Sequence, residues 1–256
     1  MTQEKAKAAY LNEEFIKSRE ARTIRIISEY LEPEKRFEET NVLHTVVFFG
    51  SARISEDKKD DDKNFPTSKY YWAAEEFAYK LGLWSKELER KGNGFYIMTG
   101  GGHGIMEAAN RGANRAGTKT IGLNISIPFE QSPNQYITPE LKFEFHYFFM
   151  RKLWFLYHAK ALVVFPGGFG TMDELFEALT LIQTRKIEKG NIPILLYDKH
   201  FWNEVIDFQK FVDFKLISKE DLDLFYFFSD ADDGINYLKP RLENLMDKVH
   251  HGLIKV

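Results

Sequence analysis

From Val42 onward, short apolar runs alternate with longer amphipathic stretches. Val42–Phe49, Phe95–Thr99, Thr120–Ile125, Ala161–Phe165, Ile192–Tyr197 and Leu224–Phe228 are rich in β-branched and aromatic residues, the pattern of strands buried on both faces. Leu141, Phe143, Phe145, Tyr147 and Phe149 alternate with Lys142, Glu144 and His146, which predicts one more strand. Between the strands lie helical patterns. Thr67 or Ser68 is placed to cap a helix reaching Arg90, with Tyr71, Ala74, Phe77, Leu81 and Leu88 on its apolar face. Ile105–Ala116, Met150–Lys160, a stretch from Thr171 to about Arg185, one around Trp202–Phe214 and a final helix complete the series. This order implies right-handed crossovers and an α/β, doubly wound, mainly parallel sheet of about seven strands with helices on both faces.

The first forty residues follow a different rhythm. Residues 3–40 read as a helical extension in which Phe15, Ile16, Ile24, Ile27 and Leu31 recur at roughly helical spacing among Glu, Lys and Arg. Pro33 and the charged run Glu34–Glu39 are expected to separate it from a single domain over 41–256. An amphipathic helix packed on its own domain is the simpler reading; a partner-binding arm is the alternative.

Composition then removes whole classes of function. Of 256 residues, 44% are hydrophobic, enough for a sizeable core, and the formal net charge is only −3. A dedicated binder of nucleic acid or an anionic membrane would carry a strong basic excess. Cysteine is absent, which excludes disulfides, a thiolate nucleophile and a Cys-based zinc site, and fits a cytoplasmic protein. No apolar stretch approaches ~18 residues, and the polar Met1–Lys7 lacks a signal-peptide core, so no membrane is expected. The seven histidines are scattered without HExxH spacing, and no metal site is expected.

The chemistry points to two glycine-rich turns, Gly100–Gly104 and Pro166–Thr171, each joining a strand end to a helix start. Ligands of doubly wound sheets bind at the carboxyl ends of strands, near a topological switch point. Unpartnered N–H groups and the helix dipole make such a turn a phosphate cradle, which nominates Gly101, Gly102, Gly104, Gly167, Gly168, Gly170 and Thr171. Neither turn is a Walker or a complete GxGxxG fingerprint, because Thr171 follows Gly170 and Glu107 occupies the last glycine position. Asp173 and Glu174 fall in the expected first turn of the second helix, and Arg151 with Lys152 lies upstream. Carboxylates beside a bound phosphosugar suit cleavage of a ribosyl C–N bond, whose transition state is oxocarbenium-like. Arg151 and Lys152 would supply cations for the phosphate or the leaving base.

Met150-Arg151-Lys152 followed by PGGFGTMDE at Pro166–Glu174 resembles the upstream Arg-Lys and the PGGxGTxxE signature of the LOG (Lonely Guy) family. The 23-residue separation of Arg151 and Glu174 agrees with that family. TGGGHGIMEAANRGA at Thr99–Ala113 is similar to the family's other glycine-rich loop, and VVFFGSAR at Val46–Arg53 to its first strand and turn. The resemblance spans roughly residues 42–230. It implies a Rossmann-like fold, a homodimer or higher homo-oligomer, no cofactor, and hydrolysis of nucleoside 5′-monophosphates to free base and ribose 5-phosphate. AMP and cytokinin riboside monophosphates are the implied substrates. By the same resemblance Arg151 and Glu174 are the catalytic pair. Lys152, Gly168, Phe169, Gly170, Thr171, Met172, Asp173 and Thr180 contact the nucleotide, and Glu130 matches an upstream nucleotide-contacting Glu. Asp173 stands where many members have Glu. Members are often labelled lysine decarboxylase, but the sequence carries no independent sign of a pyridoxal phosphate site. A non-catalytic nucleotide-binding module is the rival reading, and an NAD oxidoreductase is disfavoured by the incomplete fingerprint.

Overall fold

The central strand, β1 (Thr45–Phe49), is buried along its whole length. Its side chains alternate between two cores. Val46 and Phe48 enter one with Phe77 and Leu81, and Val47 and Phe49 the other with Trp154 and Leu175. Each such side chain contributes about 1.5–3 kcal/mol of burial. The structure is a computed structural model that describes residues 6–60, 62, 66–90, 93–128, 132–187 and 192–250.

β2 (Tyr96–Thr99), β3 (Thr120–Ile125), β4 (Lys142–Phe145), β5 (Ala159–Val164), β6 (Ile194–Tyr197) and β7 (Phe225–Phe228) join β1 in one sheet. Its order is β4-β3-β2-β1-β5-β6-β7, and every pair is parallel. The chain therefore builds outward from β1 to one edge, then returns to start the other half at β5. The carboxyl ends of β1 and β5, in register at Phe49 and Val164, flank the switch point. This is the α/β, Rossmann-like doubly wound fold that the sequence pattern predicts.

The helices form a layer on each face. α3 (Ser68–Glu89), α4 (Ile105–Arg115) and α9 (Ala231–His250) cover one side. α2 (Arg22–Glu39), α5 (Phe148–Tyr157) and α6 (Phe169–Gln183) cover the other, while α1 (Glu13–Lys17), α7 (Lys199–Val205) and α8 (Phe208–Asp213) are short. Among the described residues, no helix is long and apolar enough to cross a membrane.

Local corrections to the sequence reading have physical causes. Pro33 does not end the N-terminal helix but sits inside α2. The Glu29 carbonyl, which a residue at 33 with an N–H would have bonded, instead accepts the indole N–H of Trp154 at 3.0 Å. The buried side of α2 is made by Pro33 and Phe37, whereas Ile24, Ile27 and Leu31 of the predicted stripe face solvent. The alternating run at 141–149 is strand only to Phe145, and Phe148 opens α5, so Phe149 emerges on a helix. The stretch around 202–214 is two helices, because Asp207 caps the second through the Lys210 N–H.

Candidate functional site

Three turns meet above the switch point, and Ser51 holds them together. Its N–H donates to the Pro166 carbonyl at 3.1 Å, and its carbonyl accepts from the Ile105 N–H at 3.1 Å. The end of β1 is thereby joined to both glycine-rich turns by main-chain bonds. Gly104 is required there, since it adopts φ +66° and a Cβ would lie 2.3 Å from the Ser51 carbonyl oxygen. Gly167 is required for a different reason: a Cβ would lie 2.1 Å from Thr171 Oγ1.

The two turns differ in what they leave available. In the first, the Gly101 N–H donates to Thr99 Oγ1 at 2.9 Å. The carbonyls of Gly101 and Gly102 accept from the Asn134 side-chain amide at 3.1 and 2.9 Å. Gly101, Gly102 and Gly104 are buried in this lattice, and it is Gly100 that borders the cavity. In the second turn, Gly168 is the uncapped residue before α6. The helix begins at Phe169, two residues earlier than the sequence suggests, so Asp173 and Glu174 lie in its second turn. The first N–H groups of α6 have no intrahelical acceptor.

A cavity of about 670 Å³ opens between these turns. Ser51, Ala52 and Arg53 line one wall, and Gly167–Met172 another. Arg151, Glu174, Met106 and Phe155 lie at the same cavity. Arg53, Met106 and Val205 were not among the sequence candidates, and Phe155, which the sequence allows either as a base-stacking ring or as core packing, borders the cavity. Arg53 ends the VVFFGSAR run, so its place beside the switch point was available as a signal; Val205, on α7, gave none. Thr180, Met172 and Asp173 instead border a shallow groove of about 480 Å³ along the outer side of α6, with Phe176 and Glu177. Met172 touches both spaces, as does Phe169, whose ring is 97% exposed. Glu130 lies outside the described residues.

Arg151 and Glu174 are brought together from α5 and α6. Arg151 Nη2 is 3.7 Å from Glu174 Oε1, and both side chains are largely buried. Burial pushes the Glu174 carboxyl up to about 7, with Arg151 and then Lys152 pulling it back and Glu177 and Asp173 adding to the rise. Burial also lowers the Arg151 guanidinium, opposed by Glu174, Asp173 and Glu144. The guanidinium lies 5.2 and 5.4 Å from the ring centroids of Phe148 and Phe155, and its buried Nε has no hydrogen-bond partner among the described residues. Lys152 is directed the other way, 2.8 Å from both Asp173 Oδ2 and Glu177 Oε2. Among the described residues no three His, Asp or Glu side chains gather as a metal site.

An all-parallel doubly wound sheet with a glycine-walled cavity and a buried Arg–Glu pair at its switch point defines a Rossmann-like α/β protein with a site suited to an anionic ligand. The chain matches the family model described as "Possible lysine decarboxylase" over residues 106–238, more than half its length, and belongs to that LOG-type family. No curated protein gives a significant match. Among solved structures it is similar to the molybdenum cofactor binding protein of the phototrophic bacterium Rippkaea orientalis, at 15% identity and TM-score 0.52, covering 78% of this chain and 96% of that one. The Moco carrier protein of Chlamydomonas reinhardtii matches at 19% identity and TM-score 0.51, over 78% and 98% of the two chains. The X-ray structure of TM1055 matches at 18% identity and TM-score 0.52, over 77% and 99%. At these identities the likeness is one of fold.

Proposed function

We propose that this protein hydrolyses the N-glycosidic bond of nucleoside 5′-monophosphates, releasing free base and ribose 5-phosphate. The observation that carries the reading is the Arg151–Glu174 pair, 3.7 Å apart in a cavity whose wall includes the amino end of α6. The 5′-phosphate seats against the N–H groups at Phe169–Thr171, where the helix dipole favours an anion. Gly101, Gly102 and Gly104 support this seat from behind Ser51 rather than by direct contact. Arg151 neutralises and orients the substrate. Glu174, as carboxylate, stabilises the ribosyl cation or takes a proton from the attacking water. The C1′–N bond breaks with its electron pair leaving on the base nitrogen, a C1′–O bond forms from water, and the water proton ends on the base. Asp173 and Thr180 act from the outer side of α6, Lys152 acts from α5 through its pairing with Asp173 and Glu177, and Glu130 is a further candidate for nucleotide contact.

The protein's second copy covers the apolar exposure of α5 and α6, where Phe148, Phe149, Leu153, Phe169 and Phe176 stand in solvent. A lysine decarboxylase would call for a lysine able to form a Schiff base with pyridoxal phosphate. The residues do not fit that group: no lysine is among the described residues lining the cavity, and Lys152 is engaged with Asp173 and Glu177.

The test is chromatographic detection of free base after incubating the protein with AMP, cytokinin riboside monophosphates and the pyrimidine nucleoside monophosphates. Release from at least one of them is expected, and Arg151→Ala and Glu174→Gln should each lower kcat by about 10²-fold or more. If the wild-type protein binds a nucleotide yet frees no base from any of them, a non-catalytic binding module replaces this reading.

A further inference from the structure

We infer that Glu29, on the N-terminal helix α2, is a positioning residue that sets where Arg151 stands relative to Glu174. The inference rests on the hydrolase reading for its kinetic consequences, but its geometry does not.

Glu29 grips α5 at two places. Its carboxylate accepts the His146 N–H on Oε1 at 2.8 Å and the Tyr147 N–H on Oε2 at 3.1 Å. Tyr147 precedes the helix and offers no side-chain cap of its own, and the Glu29 carboxylate pins the two N–H groups of the turn that leads into α5. The second grip is the Glu29 main chain. Pro33 has no N–H to offer the Glu29 carbonyl, and Trp154 Nε1 takes it at 3.0 Å. Trp154 is fully buried, with its ring 5.4 Å from those of Tyr30 and Phe37 on the same helix.

Arg151 lies between these grips. Nothing at its charged end fixes its distance to Glu174 by hydrogen bonding, because 3.7 Å exceeds such a bond and Nε has no partner among the described residues. The rings of Phe148 and Phe155 flank the guanidinium and offer it no hydrogen-bond acceptor. The seat of α5 therefore decides where the cation stands, and Glu29 holds that seat without lining the cavity.

Removing the grip withdraws the main positive charge facing Glu174. The other charged groups facing it are Lys152 from α5 and Asp173 and Glu177 from α6, and Arg53 borders the same cavity. Burial then acts on the carboxyl with less opposition.

The experiment uses full-length Glu29→Ala and Glu29→Gln, with Glu32→Ala as a control on the solvent side of α2, where Glu32 pairs with Arg36. Glu174 is titrated by carboxylate carbon NMR, its signal assigned by its loss in Glu174→Gln, and kcat and KM for AMP are measured alongside. The Glu29→Ala midpoint should rise by about one pH unit with kcat falling about tenfold, KM changing less, and Glu29→Gln lying between it and the wild type because an amide oxygen accepts only one of the two N–H groups. Glu32→Ala should behave as the wild type. If Glu29→Ala fails to fold, Glu29→Gln carries the test. A Glu174 titration unmoved in a folded Glu29 variant overturns the inference. A shifted titration in a protein that never releases base leaves the positioning role standing and removes the hydrolase reading instead.

Discussion

A carboxyl held near neutrality by burial makes Glu174 the residue whose ionisation matters most. If it acts as carboxylate, base release should rise with pH along a limb centred near 7 and fall away below it. A pH–kcat profile flat between pH 5.5 and 8 would refute that role. The sign for stability runs the other way. The folded value lies above the ordinary 4.5, so the native state binds more protons than the unfolded chain between those values, and stability is lost as pH rises through about 7. Glu174→Gln should therefore stabilise the protein at pH 8 by roughly 2–3 kcal/mol, with the gain shrinking toward pH 4.5, as thermal unfolding at the two pH values will register. At this scale the pair itself was legible, because the Arg-Lys and PGGxGTxxE strings carry it. The buried environment was not, since desolvation comes from the packing of α5, α6 and the strand ends together, which no local string reveals.

At the scale of elements, the turn before α6 makes a sharp contrast testable with two neighbouring glycines. Gly167→Ala places a methyl against Thr171 and should cost roughly 1–3 kcal/mol in urea unfolding. Gly168→Ala meets nothing within 4 Å and has an extended backbone at φ −96°, so its midpoint should stay within about 0.5 kcal/mol of the wild type. Equal losses at both would show that the turn is held by something other than this packing. Strands were legible wherever both faces are buried, because an apolar run then leaves few alternatives. The start of α5 was not: the turn before it, at His146 and Tyr147, is pinned by Glu29, more than a hundred residues earlier in the chain. The site residues on α6 were visible as a motif, but their division between cavity and outer groove depends on which side of the helix each occupies.

For the whole molecule, a cluster of exposed apolar side chains stands on α5 and α6 among the described residues. If a second copy seats there, as proposed, light scattering at micromolar concentration should read a dimer, and Phe148→Lys with Phe176→Lys should return the mass of one chain. A wild-type protein that stays monomeric at high concentration would leave that face to some other covering. The N-terminal helix belongs to the same picture, since it packs Tyr30 and Phe37 against Trp154 of α5. The Ser51 junction bears on how such a protein could change its diet. Both of its bonds are made by the peptide unit, so exchanging the side chain at 51, 53 or 106 cuts neither, whereas proline at 51 or 105 removes a donor outright. The scaffold of the mouth is thus insulated from the side chains that line it, and taste can be retuned without rebuilding the jaw.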